Sequence, residues 1–184
     1  YEDAGTFGSI LSPNNTLRFE LSFDKMWLMN EGGDQKISAL SSTSISYISK
    51  EDIDDFFYFF GGGMPGLKGY TYYDDSLIGT RKVLQSFYFR TPLFTEKSIP
   101  LSSFYFKDLT FGFIAQTGSI YSNDYSDWGD LRNSTGIEFR LFGYNVYSYP
   151  LAITYEYYVA EEESDGKHYF KVLFDFQWYW KGIY

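Results

Sequence analysis

Lys68 occupies the most unusual setting of any charged residue in this chain. It lies in Phe56-Phe57-Tyr58-Phe59-Phe60-Gly61-Gly62-Gly63-Met64-Pro65-Gly66-Leu67-Lys68-Gly69-Tyr70, where an aromatic run stops at three glycines and a Pro-Gly step precedes the cation. Glycine opens backbone angles closed to other residues, and Pro-Gly marks a turn. The spacing predicts a sharply bent loop over 61–80 that presents an ammonium for ion pairing. Other chemistry has less to build on. His168 is the single histidine, beside a charged stretch, and no Gly-x-Ser-x-Gly elbow accompanies it. No catalytic residue is expected, and the chain reads as non-enzymatic. Asp52, Asp54 and Asp55, and the run from Glu161 to Asp165, lack calcium-loop spacing, and cysteine is absent. These carboxylates read as solvated loop charge, with no metal or cofactor. Gly61 to Gly63 are not followed by the Gly-Lys-Ser/Thr of a phosphate cradle.

The elements that would carry this loop alternate with period two, which places successive side chains on opposite faces of a strand. Leu17, Phe19, Leu21 and Phe23 oppose Arg18, Glu20, Ser22 and Asp24. Glu31 to Gln35 reads as a turn, and Ile37 to Ile48 is Ser-rich and less regular. Val83 to Arg90 alternates, with Thr91-Pro92-Leu93 closing it. Leu109 to Gly118 follows, then a polar stretch from Ser119 to Thr135. Ile137, Phe139 and Leu141 oppose Glu138 and Arg140. Tyr149-Pro150 predicts a tight reversal, and Leu151 to Tyr158 alternates with Glu156 on the polar side. Glu161 to Gly166 is a charged loop, and Phe170 to Trp178 a last strand. That makes about seven strands, eight if Tyr1 to Ile10 adds one, each of roughly 9–14 residues. Shorter connections alternate with longer ones at Gly61, Ser119 and Glu161. Trp27, Tyr47, Tyr121, Trp128, Tyr147, Tyr149, Trp178 and Trp180 mark strand ends, where amphipathic rings favour a membrane–water interface.

Composition points the same way. Aromatic residues make up 23% of the 184 residues, with 19 Tyr, 19 Phe and 4 Trp. Mean hydropathy is only -0.30, and no apolar run reaches the ~18 residues of a membrane helix. Aromatic-rich, short alternating segments predict an all-β, antiparallel transmembrane β-barrel whose partner is the lipid bilayer. A formal net charge of -9 argues against nucleic acid, which needs clustered Lys and Arg. The start, Tyr1-Glu2-Asp3, has neither Met nor an apolar core, so any export signal is expected outside these residues.

The loop resembles the long extracellular loop of the outer-membrane assembly and two-partner-secretion barrel superfamily, also called the bacterial surface antigen family. There a Gly-Gly pair and a short spacer precede Arg-Gly-Phe or Arg-Gly-Tyr. Gly62, Gly63, Leu67, Lys68, Gly69 and Tyr70 match that order, with Lys68 in place of Arg. Ser86 to Leu93 is similar to the family strand after the loop, Phe113 to Gly118 to its apolar-Asp-small-Gly stretch, and Gly136 to Leu141 to a strand with an inward Arg. His168 to Phe176 resembles its closing strand. Gln116 replaces the usual Asp, Tyr88 replaces a frequent inward Glu, and Gln177 to Tyr184 runs past the usual end. The likeness covers Thr16 to Phe176. It is particularly similar to barrels that follow a TolB-like β-propeller in some Gram-negative proteins, where Gly-Leu-Lys-Gly-Tyr and Tyr-Ser-Tyr-Pro also occur.

The resemblance implies that residues 1–184 are the C-terminal part of one outer-membrane barrel of about sixteen strands. Upstream strands would come from a preceding region or another, barrel-completing chain. It implies a Gram-negative outer-membrane location. The loop cation would fold into the lumen and meet inner-wall residues Arg90, Gln116, Glu138 and Arg140, with Glu138 the expected partner of Lys68. The implied function is non-enzymatic assistance to insertion or translocation of polypeptide or another polymer. Two other readings stay open: a plain anchor barrel for a periplasmic or surface domain, and a soluble β-sandwich binding module, for glycans among other ligands.

Overall fold

The computed structural model describes residues 10–11, 16–29, 37–49, 55–122, 131–163 and 165–173. Its strands are β1 (Ile10–Leu11), β2 (Thr16–Met29), β3 (Ile37–Ile48), β4 (Phe59–Phe60), β5 (Ile78–Gly79), β6 (Arg81–Phe94), β7 (Ile99–Leu101), β8 (Phe104–Tyr121), β9 (Arg132–Asn145), β10 (Pro150–Ala160) and β11 (Lys167–Leu173). The helical content among the described residues is two 3-10 turns, Asp55–Phe57 and Asp75–Leu77. One antiparallel sheet runs in the order β1-β2-β3-β6-β8-β9-β10-β11, with β7 added to β8. The short pair β4-β5 stands apart, inside the long connection between β3 and β6. Among the described residues β1 and β11 do not pair with each other, so the sheet is open.

Register fixes which side chains share a face. One row across the strands is Ala39, Phe89, Phe113, Ile137 and Tyr157; the next is Ser38, Arg90, Gly112, Glu138 and Glu156. Adjacent rows point to opposite faces. The first face is bare: Phe87 is 53% exposed, Phe113 49% and Phe170 66%. The second lies under the long loop, and there Glu138 is 0% exposed, Glu156 2% and Arg90 8%. On the bare face Ser41, Thr43 and Gln85 interrupt the apolar surface, and they satisfy one another. Thr43 donates to Gln85 Oε1, and Gln85 Nε2 donates to Ser41 Oγ at 2.9 Å.

Several strands outrun their expected bounds. The Ser-rich segment keeps its expected bounds, 37–48, and is one unbroken strand paired with β2 and β6. Thr91-Pro92-Leu93 does not close β6, which continues to Phe94. Past Arg90 β8 still pairs with Thr91 and Pro92, and among the described residues no β3 partner is recorded there. The polar stretch 119–135 is shorter than expected. β8 reaches Tyr121 and β9 begins at Arg132, because cross-strand backbone bonds, such as those pairing Val83 with Ser119 and Ala115 with Thr135, hold polar residues as well as apolar ones. The reversal at 149–150 is instead a turn over 146–149, with Ser148 at φ 62, and Pro150 opens β10. Asn145 Oδ1 accepts the amides of Tyr147 and Tyr149 there, at 2.9 and 3.0 Å. Trp27, Tyr47 and Tyr121 sit near strand ends. The turn at 31–35, most of the strand expected before Ile10, Asp52, Asp54, Trp128 and everything from Phe174 on, Trp178 and Trp180 included, lie outside the described residues.

Candidate functional site

The loop is bent by its own backbone bonds. The Gly61 amide donates to Leu77 O at 2.7 Å and that of Gly63 to Tyr70 O at 3.1 Å, while Leu67 N donates to Gly61 O. Two positions use glycine's freedom of backbone angle. Gly63 has φ +72 and Gly69 φ +106, a region L side chains rarely adopt. Asp74 Oδ1 takes the Ser76 amide at 2.9 Å and caps the second 3-10 turn. The bend folds the loop onto the sheet, where Leu67, Tyr70 and Leu77 bury themselves with Ile120 of β8 and Ala160 of β10. The Tyr70 hydroxyl donates to Asn133 O at 3.1 Å.

Lys68 is thereby aimed at the sheet with 8% of its surface exposed. Its amide donates to Gln116 Oε1 at 3.0 Å, and Gln116 Nε2 donates to Ser86 Oγ at 2.9 Å. Its ammonium donates to Glu156 Oε2 at 2.6 Å and to the Tyr158 hydroxyl at 3.1 Å. Tyr158 in turn donates to Glu156 Oε2 at 3.1 Å, and the Lys171 ammonium holds Glu156 Oε1 at 2.8 Å. Each acceptor of this buried carboxylate thus has a partner, as a charge out of water requires.

Glu138, the expected partner of Lys68, is engaged elsewhere. Arg90 donates to its Oε1, and Arg140 Nε to its Oε2 at 2.9 Å. The cause lies in Gly112, which stands between Arg90 and Glu138 in the same row. Arg90 and Glu138 sit two strands apart, about 10 Å at the backbone. Their heads meet above Gly112, where an added Cβ would lie 2.5 Å from Glu138 Cγ and 2.6 Å from its Oε1. Glu138 leans toward β6, so Glu156 is left to Lys68. The two carboxylates are direct cross-strand neighbours, an arrangement that repels unless cations flank it. Lys68, Arg90, Arg140 and Lys171 supply that flank from the loop, β6, β9 and β11.

A second fastening holds the loop at its rim. Glu163 Oε1 accepts the Thr71 amide at 2.9 Å and its hydroxyl at 3.2 Å, and Lys167 bonds Glu163 Oε2 at 2.8 Å. Burial pushes the Glu163 carboxyl up, but the bonds from Lys167 and Thr71 outweigh it and hold the group below its ordinary 4.5. Arg132 pairs with Glu162, and Asn133 Nδ2 donates to Glu161 Oε2 at 2.8 Å. Of the charged run from Glu161 to Asp165, Glu161 and Glu162 are exposed while they pair, and Glu163 is half-buried against Thr71 and Lys167.

The structure brings Gly62, Gly63, Leu67, Lys68, Gly69, Tyr70, Arg90, Gln116, Glu138 and Arg140 onto one face, with Glu138 in a different pairing from the one expected. Sequence reasoning placed Glu156 on the polar side but not at Lys68, and did not single out Tyr158, Lys171, Gly112 or Glu163. Among the described residues no group of three His, Cys, Asp or Glu is placed to hold a metal. Comparison with family models, with curated proteins and with solved structures finds no match to this chain.

Proposed function

We propose that this sheet is part of the wall of an outer-membrane β-barrel, its bare face toward lipid and its loop-covered face toward the lumen. The observation that carries the reading is the reversal of polarity: ion pairs are buried and aromatic side chains are bare. A sheet in water covers its apolar face and solvates its polar one, whereas a membrane barrel does the opposite. The self-satisfied cluster of Ser41, Thr43 and Gln85 fits the same solvent, since hydrocarbon offers polar groups no partner. Missing strands would close the open edges. The likeness of the Lys68 loop to assembly and secretion barrels supports a non-enzymatic role in insertion or translocation of polypeptide. The many bonds that tie the loop down favour a second reading, an anchor barrel that passes nothing.

Cysteine labelling tests the membrane placement. Phe87→Cys and Phe113→Cys in the full protein in membranes should react with a lipid-restricted maleimide, and Ser86→Cys and Gln116→Cys should not. Labelling of the second pair in preference, or release of the protein by a urea wash without detergent, refutes the barrel and favours a soluble module. Conductance in planar bilayers separates the two barrel readings: an anchor stays closed when Lys68→Met frees the loop.

A further inference from the structure

A cleft of about 940 Å³ opens between the start of β2 and the outer part of the loop, away from the Lys68 network. Its walls are Phe56, Phe57, Phe60, Tyr72 and Tyr73, with Asp75 among the lining residues. Phe60 and Tyr72 stack at 5.4 Å, and Tyr73 stands edge-on to them at 5.5 and 4.7 Å. Phe56 is 80% exposed and Tyr73 70%. A molecule in water does not gather such rings at one mouth without cost, so a guest is the physical expectation. The volume lies in the range of small-ligand sites and admits a short peptide.

Charge decides what kind of guest. Ring faces carry negative electrostatic potential and attract cations. Asp75 adds a full negative charge and makes no ion pair among the described residues. Arg18 is the cation on the wall, and it is already engaged: it pairs with Glu20 at 2.6 Å and lies 4.6 Å from the centre of the Phe59 ring. The whole chain carries a net charge of -9, which draws cations in and turns anions away. A neutral glycan would stack on the same rings but gain nothing from this charge. We propose that the cleft binds a cationic side chain, arginine or lysine, presented by an extended polypeptide. The proposal goes beyond the membrane reading and stands without it, since the cleft belongs to the loop and β2 in any solvent.

The test titrates three blocked or neutral tetramers into the full protein in detergent micelles by calorimetry: tetra-arginine, tetra-glutamate and maltotetraose. Salt is kept at about 0.15 M, where diffuse attraction is screened beyond about 8 Å. Tetra-arginine should bind. The pair Tyr72→Leu and Tyr73→Leu leaves charge untouched and should weaken it at least tenfold; Asp75→Asn should weaken it severalfold. Both tyrosines are exposed, so the variants should keep the parent circular dichroism spectrum, and Phe57→Leu gives a second ring variant from the same wall. Equal affinity in parent and ring variants would reduce the effect to bulk charge and overturn the proposal. Preference for maltotetraose or tetra-glutamate, or no binding, would overturn it as well.

Discussion

Lys68 and Lys171 hold the two oxygens of Glu156 at 2.6 and 2.8 Å, while Glu138 faces the same carboxylate directly and repels it. Lys68→Met should therefore destabilise the docked loop by about 3 kcal/mol, the low end for a broken buried pair, since Lys171 remains. Glu156→Gln made together with Lys68→Met should cost clearly less than the two single effects summed, with a coupling of about 1.5 kcal/mol or more. Urea titration of the four proteins in micelles checks this, and strict additivity would dissociate the pair. At the rim, the Glu163 carboxyl is held below its ordinary value in the folded state. A depressed value means that the contact with Thr71 contributes stability above the ordinary carboxylate value and loses it as pH falls through the folded one. The protection factor of the Thr71 amide, its exchange rate corrected for the intrinsic pH dependence, should fall as pH drops below the ordinary carboxylate value, and Glu163→Gln should flatten that dependence.

At the scale of elements, absent side chains position the charged ones. Gly112→Val should drive Arg90 and Glu138 apart, because its Cβ has no free space beside the carboxylate. Gly66→Ala should open the loop, since the added carbon lands 2.0 Å from Gly61 O and backbone cannot yield there. In each case protease cutting within 61–80 should appear while the strands stay protected. Both glycines show why part of this site was hidden in the sequence. Alternation assigned the faces of β2, β6, β9 and β10, because side-chain direction follows residue parity. Which residues stand opposite across strands depends on turn geometry, which parity does not carry. Only with the turn at 146–149 known does pairing of Tyr144 with Pro150 bring Glu138 against Glu156. The lean of Glu138 away from Lys68 is decided by a residue with no side chain, and pattern reading gives such a residue no weight. The ends of β8 and β9 were invisible for a related reason: backbone pairing holds Ser119 and Thr135, and hydrophobicity does not register it.

At the scale of the whole molecule, the large sheet has a bare apolar face and, among the described residues, open ends, and this sets two expectations. Phe113→Arg should cost about 2–4 kcal/mol in lipid vesicles if that face meets hydrocarbon, and close to nothing if it meets water; refolding titrations in vesicles decide. Residues 1–184 alone should give no heat-modifiable, protease-resistant band, since each unpaired backbone group at an edge in lipid costs several kcal/mol. The loop adds a consequence for the order of events. Lys68 bonds Glu156 across 88 residues of chain and Tyr158 across 90, and Thr71 bonds Glu163 across 92. Contacts that distant form only after the intervening chain has been ordered, because closure entropy must be met first. A chain emerging from its N-terminal end presents the loop long before β10 and β11 exist to receive it. Until then Thr71, Lys68 and the aromatic segment stay open to proteases and chaperones. Docking is thus a late event that follows completion of the C-terminal strands, and a chain truncated before Glu156 lacks the residues that fasten the loop.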